Sequence, residues 1–345
     1  MASVFTTDQL QLLQSVQAHG NLVGVKLYLV GGFVRDLLLG CDLADQDIDI
    51  LVDGGSSETE PSVAAYFARS LATTLNAEHK VFEKFLTAKV ILNATSPVAT
   101  SITELDFASA RTEIYSKPGA LPTVHAADLS ADLKRRDFTI NALALPLDAN
   151  LAAPHFKDFV IDQFGGLDDL TTRVVRTLHP QSFIDDPTRA FRACRYAARL
   201  DGKLELGTEQ ELRKMVQSGG LDSVSRFRVL SELRHIFAEA RPASVFRWLN
   251  DLGILTGIRL TTVGALAELL AQLEAVWSMP EMALVGGDTK FELGMATMQR
   301  FASASSGTEW QNLPFSRVQR RSITRLAKLS NDQLRVELAE TASAA

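Results

Sequence analysis

The stretch Leu27-Tyr-Leu-Val-Gly-Gly-Phe-Val-Arg-Asp-Leu-Leu-Leu-Gly40, followed by Gln46-Asp-Ile-Asp-Ile-Leu-Val52, decides the fold. Residues 27–30 read as a strand, Gly31-Gly32 as a tight turn, 33–39 as a helix and 47–52 as a second apolar strand. Side chains two apart on a strand point to one face, so Asp47 and Asp49 present their carboxylates together. Glycines at a strand-to-helix turn let backbone amides approach a phosphate, and the helix N-terminus adds partial positive charge. Paired hard oxygen donors beside such a turn point to Mg²⁺ and a nucleoside triphosphate. An acidic pair in an apolar strand is costly without a cation, which makes nucleotidyl transfer the leading reading.

A third carboxylate normally completes such a site. Glu104 and Asp106 share a face of the predicted strand 102–109 and are the candidates. Further strands are expected at 85–92, 143–147 and 156–161, with helices at 8–19 and 62–75 and a helix or turn at 134–142. Gly54–Pro61 reads as a loop. Residues 111–133, rich in Pro, Gly and Ser, read as a long loop able to move. After Gly165-Gly166 the pattern turns helical, at about 167–171, 180–184, 187–200, 208–216, 222–238, 242–251, 262–275 and 316–328. The segment Glu337 to Ala345 reads as frayed. A mixed α/β half followed by an all-α half implies a catalytic head on a helical body.

Arg135-Arg136-Asp137-Phe138-Thr139-Ile140-Asn141 offers guanidinium forks for phosphate and an amide for a ribose hydroxyl; an Arg–Asp structural pair is the alternative. In Asp185-Asp186-Pro187-Thr188-Arg189, Asp186 suits a helix cap and Pro187 the first helical position. The same pair supplies an acceptor and a donor on one face, able to read the amino-bearing edges of cytosine and adenine while rejecting guanine and uracil. Arg192, Arg195 and Arg199 fall within roughly a 60° sector of one helix. They could meet RNA phosphates, or pair with acids of a neighbouring helix.

The bulk properties allow this chemistry. With 345 residues, 46% hydrophobic and 22% charged, the chain suits a globular protein of two or three units. Two cysteines, Cys41 and Cys194, form no disulfide framework or zinc motif and fit a reducing cytoplasm. No signal peptide or membrane span is read. The net charge of −6 is uneven: residues 1–130 hold 8 basic and 15 acidic residues, whereas 300–335 hold 7 basic and 2 acidic. Acid gathers where a cation would bind, and base gathers where RNA could dock. The histidines His79, His125, His155, His179 and His235 lie singly, and no Ser/His/Asp or Cys/His set stands out.

Together these motifs resemble the class II tRNA nucleotidyltransferase and bacterial poly(A) polymerase family, within the polymerase β-like superfamily. The likeness is carried by Leu29–Asp36, Asp47-Ile-Asp49, Ala110–Tyr115, Arg135–Ala142, Gly165–Leu170 and Asp185–Arg189, and runs from about residue 27 to 255. It implies an α+β fold: a nucleotidyltransferase head with a mixed or antiparallel sheet over 1–148, a helical neck over 149–240 and a helical body and tail over 241–345. It implies Mg²⁺, CTP and ATP as substrates, and the tRNA 3′ end as acceptor. Asp47 and Asp49 would bind metal, with Asp106 as the third catalytic carboxylate because the acidic position before the Ala-Arg-x-Glu block falls there. Gly31, Gly32, Arg35, Arg136 and Asn141 would bind the nucleotide, and Asp186 and Arg189 would select the base. The chain departs from relatives at Asp185, more often Glu, and at Phe227, where Glu is frequent. CC-only or A-only addition, poly(A) synthesis and a catalytically silent RNA-binding protein are the rival readings.

Overall fold

In the computed structural model, the opening stretch folds as strand, turn, helix and strand. Residues 5–41, 43, 47–54, 62–93, 96, 102–117, 119–153, 155–260, 266–301 and 313–343 are described. The chain forms two compact units. The first comprises Met1–Ser116, Ala120–Thr172 and Arg176–His179, and the second Lys117–Gly119, Arg173–Val175 and Pro180–Ala345.

The first unit begins with α1 (Thr7–Val23), closed by a capping box in which Thr6 and Gln9 exchange hydrogen bonds. β1 (Lys26–Val30), α2 (Gly32–Leu39), β2 (Ile48–Asp53) and α3 (Val63–Thr74) follow. Then come β3 (Glu78–Phe82), β4 (Thr87–Ile91), β5 (Glu104–Ser109), β6 (Arg111–Ile114), β7 (Thr123–Ala126), α4 (Leu129–Lys134), β8 (Leu143–Pro146), β9 (Ile161–Asp162) and α5 (Gly166–Thr171). Seven strands form one mixed sheet in the order β3-β4-β5-β2-β1-β8-β9, parallel at β2–β5 and antiparallel at the other pairs.

Alternation along the strands builds the site. Ile48, Ile50 and Val52 of β2 and Leu105 and Phe107 of β5 point into a core with Leu12 and Val16 of α1, Val34 and Leu37 of α2, and Phe67 and Leu71 of α3. Phe67 and Phe107 meet at 5.3 Å with a 59° tilt. Each such ring, fully buried, contributes about 1.5–3 kcal/mol. Residues of the other parity face away from these helices. There Tyr28, Val30 and Leu51 are covered by Leu129 and Leu133 of α4, while Asp49 keeps open surface.

Several expectations change. β3 was not foreseen, since Glu78, His79 and Lys80 are exposed and lack apolar alternation. Within the loop expected over 111–133, β6 pairs with β7 and α4 begins at Leu129; the side chains of the two strands are largely half-buried or exposed, so the apolar signal is weak. The expected strand at 156–161 is a short 3₁₀ turn, Phe156–Phe159, leading into β9. The loop expected over Gly54–Pro61 lies outside the described residues from position 55 onward.

The second unit contains α6 (Ser182–Asp185), α7 (Arg189–Leu200), α8 (Leu206–Gln217), α9 (Arg226–Ala238), α10 (Pro242–Asp251), α11 (Ile254–Gly257), α12 (Leu266–Trp277) and α13 (Gly287–Phe301). Two further helices span Arg317–Leu326 and Asn331–Ser343. A two-residue parallel pair, Val174–Val175 with Lys203–Leu204, also belongs to this unit. Phe237 centres its core, with Phe246 at 5.6 Å, Trp277 at 5.8 Å and Phe291 at 6.4 Å. The segment expected to fray is helical to Ser343, because Leu338 is buried and Glu337 pairs with Arg325 at 2.7 Å. Among the described residues no helix is long and apolar enough to cross a membrane.

Candidate active site

The parallel register of β2 and β5 sets Asp49 directly beside Asp106. Asp47 precedes β2 by one residue and is exposed. Gly31 lies beside Asp49 with φ +71°. A Cβ built there would stand 3.0 Å from Arg136 Nη1 and 4.0 Å from Asp49 Oδ2. The missing side chain leaves backbone and carboxylate accessible to a ligand, which is the physical use of glycine here. The Asp49 carboxyl is pushed up to about 6, first by desolvation and then by Asp106 and Asp47, against the pull of Arg136 and Lys89. Asp106 is also raised, by desolvation, with Lys89 opposing. Like charges gathered without enough countercharge are the electrostatic mark of a cation site. The donors are hard oxygens, aligned and unobstructed by Gly31, so the residues fit a divalent ion. Among the described residues no three His, Cys, Asp or Glu side chains are grouped so as to hold a metal ion, so the fit rests on the aligned pair Asp49 and Asp106.

A buried acid organises the arginines. Asp132 on α4 is fully buried and accepts from Arg135 Nη2 at 2.6 Å and Arg136 Nη2 at 2.8 Å. Its carboxyl is held below the usual range: burial works to raise it, but Arg136 and Arg135 prevail. Arg135 also donates to Glu113 Oε1 at 2.7 Å. Arg136 is thereby aimed towards Gly31 and Asp49. Arg35 takes a different path. It is buried, grips Asp36 through two 2.8 Å bonds and donates to Asn141 Oδ1 at 2.6 Å. Asn141 Nδ2 in turn donates to Asp137 Oδ1 at 2.9 Å. Of the expected nucleotide-binding residues, Gly31 and Arg136 therefore line the acidic face. Arg35 and Asn141 brace the turn by bonding each other, and Gly32 starts α2 against the Arg35 guanidinium.

The second cluster belongs to the helical unit. Asp186 accepts from the Thr188 amide at 3.0 Å, the Thr188 hydroxyl at 2.7 Å and Arg228 Nη2 at 2.5 Å, with Arg192 Nη2 at 3.3 Å. Burial raises its carboxyl, yet Arg192, Thr188, Arg228 and Arg189 outweigh that and hold it at about 2. Asp186 thus stays ionised and braces the turn through Thr188. Contrary to expectation it is not the N-cap of α7, which is Thr188, and Pro187 precedes the helix, whose first residue is Arg189. Arg189 is buried and donates to Ser182 Oγ at 2.6 Å. Arg195 and Arg199 both meet Glu239, at 3.3 and 2.5 Å. The inter-helix ion-pair alternative is therefore what the structure displays for these two, while Arg192 lies between Asp186 and Glu232.

Sequence reasoning missed Lys89, Asp132 and Glu239. Asp132 had a signal, since it precedes Arg135 and Arg136 by three and four residues, the helical spacing. Lys89 and Glu239 had none, because their partners are set by strand register and helix packing.

The likeness to known proteins agrees with this geometry. Residues 27–176 match the poly A polymerase head domain family. The chain is 38% identical over 244 residues to the A-adding tRNA nucleotidyltransferase of Geobacter sulfurreducens, covering 71% of this chain and 25% of that protein. It is 34% identical over 267 residues to the multifunctional CCA protein of Xanthomonas campestris pv. campestris, covering 75% of this chain and 54% of that protein. The chain thus spans about a quarter to about half the length of these relatives. The solved Thermotoga maritima CCA-adding enzyme complexed with tRNA is similar in fold, with a TM-score of 0.69 and 28% identity, over 97% of this chain and 79% of that one. With its head-domain match, its mixed sheet bearing Asp49 beside Asp106, and these relatives, the chain belongs to the tRNA nucleotidyltransferase and poly(A) polymerase family.

Proposed function

We propose that this protein adds nucleotides to the 3′ end of tRNA without a nucleic-acid template, using CTP and ATP with Mg²⁺. The observation that carries this reading is the alignment of Asp49 with Asp106 on an open sheet face, beside a glycine turn and an arginine. Asp47, Asp49 and Asp106 would hold the divalent ion. Once bound, it would supply electrostatic stabilisation to the hydroxyl that attacks the α-phosphate and to the departing pyrophosphate. The chain's own residues position and neutralise. Arg136, fixed by Asp132, offers its guanidinium to the phosphates. The Gly31 backbone lets the triphosphate approach, and the Arg35–Asn141 bond keeps that turn rigid.

We assign base choice to Asp186 and Arg189 of the helical unit, and RNA contact to exposed Arg317, Arg320 and Arg321 on its C-terminal basic helix. Of the neck expected over 149–240, residues 149–172 and 176–179 group with the first unit, so 180–240 would serve as the neck and 241–345 as body and tail. Full CCA addition is the primary reading. A-only addition is the second, favoured by the 38% identity to an A-adding enzyme.

The test uses three tRNA transcripts, ending at the discriminator base, after the first C and after CC. Each is incubated with CTP, ATP or both, and products are sized to single nucleotides. Extension of all three to CCA supports the primary reading. Extension of the CC transcript alone, by one A, supports the second. Long A tracts on unrelated RNA would indicate poly(A) synthesis, and no extension of any transcript would overturn the proposal.

A further inference from the structure

One cation already stands on the acidic face. The antiparallel register of β4 and β5 sets Lys89 directly opposite Asp106, with Glu104 two residues earlier on the same face. Lys89 Nζ lies 2.5 Å from Glu104 Oε2 and 3.4 Å from Asp106 Oδ2. The ammonium therefore divides itself between a carboxylate beside the acidic pair and one that belongs to it. We propose that Lys89 is a positioning residue, a resident counter-cation that holds Asp106 until a divalent ion arrives and then passes wholly to Glu104.

Three features support the exchange. Lysine carries a point charge with three donors on a flexible stem, so its ammonium can move without dragging the strand. Its side chain is about a quarter exposed, so it is not packed into one position. Glu104 already holds the shorter bond, so a destination exists on the same face. A divalent ion held by Asp49 and Asp106 would repel the ammonium while attracting both carboxylates. Lys89 also offsets the repulsion between Asp106 and Asp49, which the β2–β5 register sets side by side. Glu104, the rejected candidate for the third ligand, then acts through the lysine rather than on the ion.

The inference rests on the proposed metal site, and its test separates the two. Mn²⁺ alone serves as the probe, with binding read by calorimetry and by the free-ion paramagnetic signal, on the full chain without RNA or nucleotide. Lys89→Met removes the competing charge and should tighten Mn²⁺ roughly tenfold. Glu104→Gln removes the alternative partner, commits Lys89 to Asp106 and should weaken Mn²⁺ several-fold. Through-space charge alone would also shift the two variants in opposite directions, so the double variant decides. If Lys89 passes between Asp106 and Glu104, Glu104→Gln loses its effect in the Lys89→Met background, whereas an unchanged Glu104→Gln effect in that background overturns the exchange. Asp49→Asn is the control. If it abolishes Mn²⁺ binding while Lys89→Met and Glu104→Gln bind as wild type does, the counter-cation role is overturned and the metal site stands. If Asp49→Asn binds as wild type does, the metal site itself falls. Should Lys89→Met fail to fold, the Glu104→Gln direction decides: tightening or no change overturns the inference.

Discussion

Replacing Asp132 with alanine should be among the most damaging single changes in the first unit, although the residue touches no ligand in the proposed mechanism. Its carboxylate is fully buried and accepts from two guanidinium groups, with the closest contacts at 2.6 and 2.8 Å. The Arg135 and Arg136 side chains are 18% and 15% exposed, so water cannot fully replace the lost partner. Removing one member of a buried ion pair costs about 3–5 kcal/mol; Arg135 keeps Glu113, but Arg136 loses the carboxylate it donates to. Asp132→Ala should therefore lose at least about 3 kcal/mol, and Asp132→Asn somewhat less, because the amide still accepts one bond. All three tryptophans, Trp248, Trp277 and Trp310, lie in the second unit. Intrinsic tryptophan fluorescence would therefore report the wrong part of the molecule. Hydrogen exchange of amides in β1, β2 and β8, measured along a urea series, reports the right one. A loss below about 1 kcal/mol in Asp132→Ala would refute the argument that this carboxylate organises the arginines. The pH dependence has a defined sign. The folded carboxyl is held below its unfolded value of about 3.9, so its stabilisation is present above that value and is lost as pH falls below it.

The raised Asp49 carboxyl gives a second pH effect of opposite sign. It holds its proton up to about 6, so a cation must displace that proton; Mn²⁺ affinity should fall about tenfold per pH unit below 6 and level off above 7 in a calorimetric series. In the cation-free protein, the same group favours folding below its unfolded value of about 3.9, and that contribution is lost as pH rises through about 6. Gly31→Ala forces a Cβ into a φ of +71° and to 3.0 Å from Arg136, so CTP affinity measured by calorimetry should drop on the order of tenfold. Gly294→Ala drives a Cβ into the Phe237 ring at the heart of the helical core, so thermal or urea unfolding followed by tryptophan fluorescence should show a loss of about 1–3 kcal/mol.

Much of this molecule is legible from local pattern. The β1–α2–β2 unit follows from apolar runs broken by a glycine pair, and the parity of Ile48, Ile50 and Val52 against Asp49 follows from alternation. Helices with a clear start signal, such as α10 with Pro242 at its first position, also announce themselves. Chain pattern is silent where pairing is remote. The choice of Asp106 over Glu104 depends on which residue sits beside Asp49, and that is a property of strand register. The engagement of Glu104 by Lys89 depends on the next register over. Arg35 and Asn141 have the right chemistry for phosphate and ribose, yet lie 106 positions apart in sequence and are bonded to each other. No sequence argument separates a guanidinium that faces a ligand from one that braces a turn. The hairpin over 111–126 was obscured because its strands are short and half-exposed, which removes the alternation that marks a strand.

The central claim is that the open face of the sheet, through Asp49, carries the chemistry rather than merely the fold. Single-turnover pyrophosphate release, with tRNA ending in CC and labelled ATP, tests it in wild type and Asp49→Asn, alongside filter binding of the same tRNA. The account predicts a loss of at least about a thousandfold in rate with tRNA affinity unchanged within about threefold. Release in Asp49→Asn at a rate within threefold of wild type would contradict it.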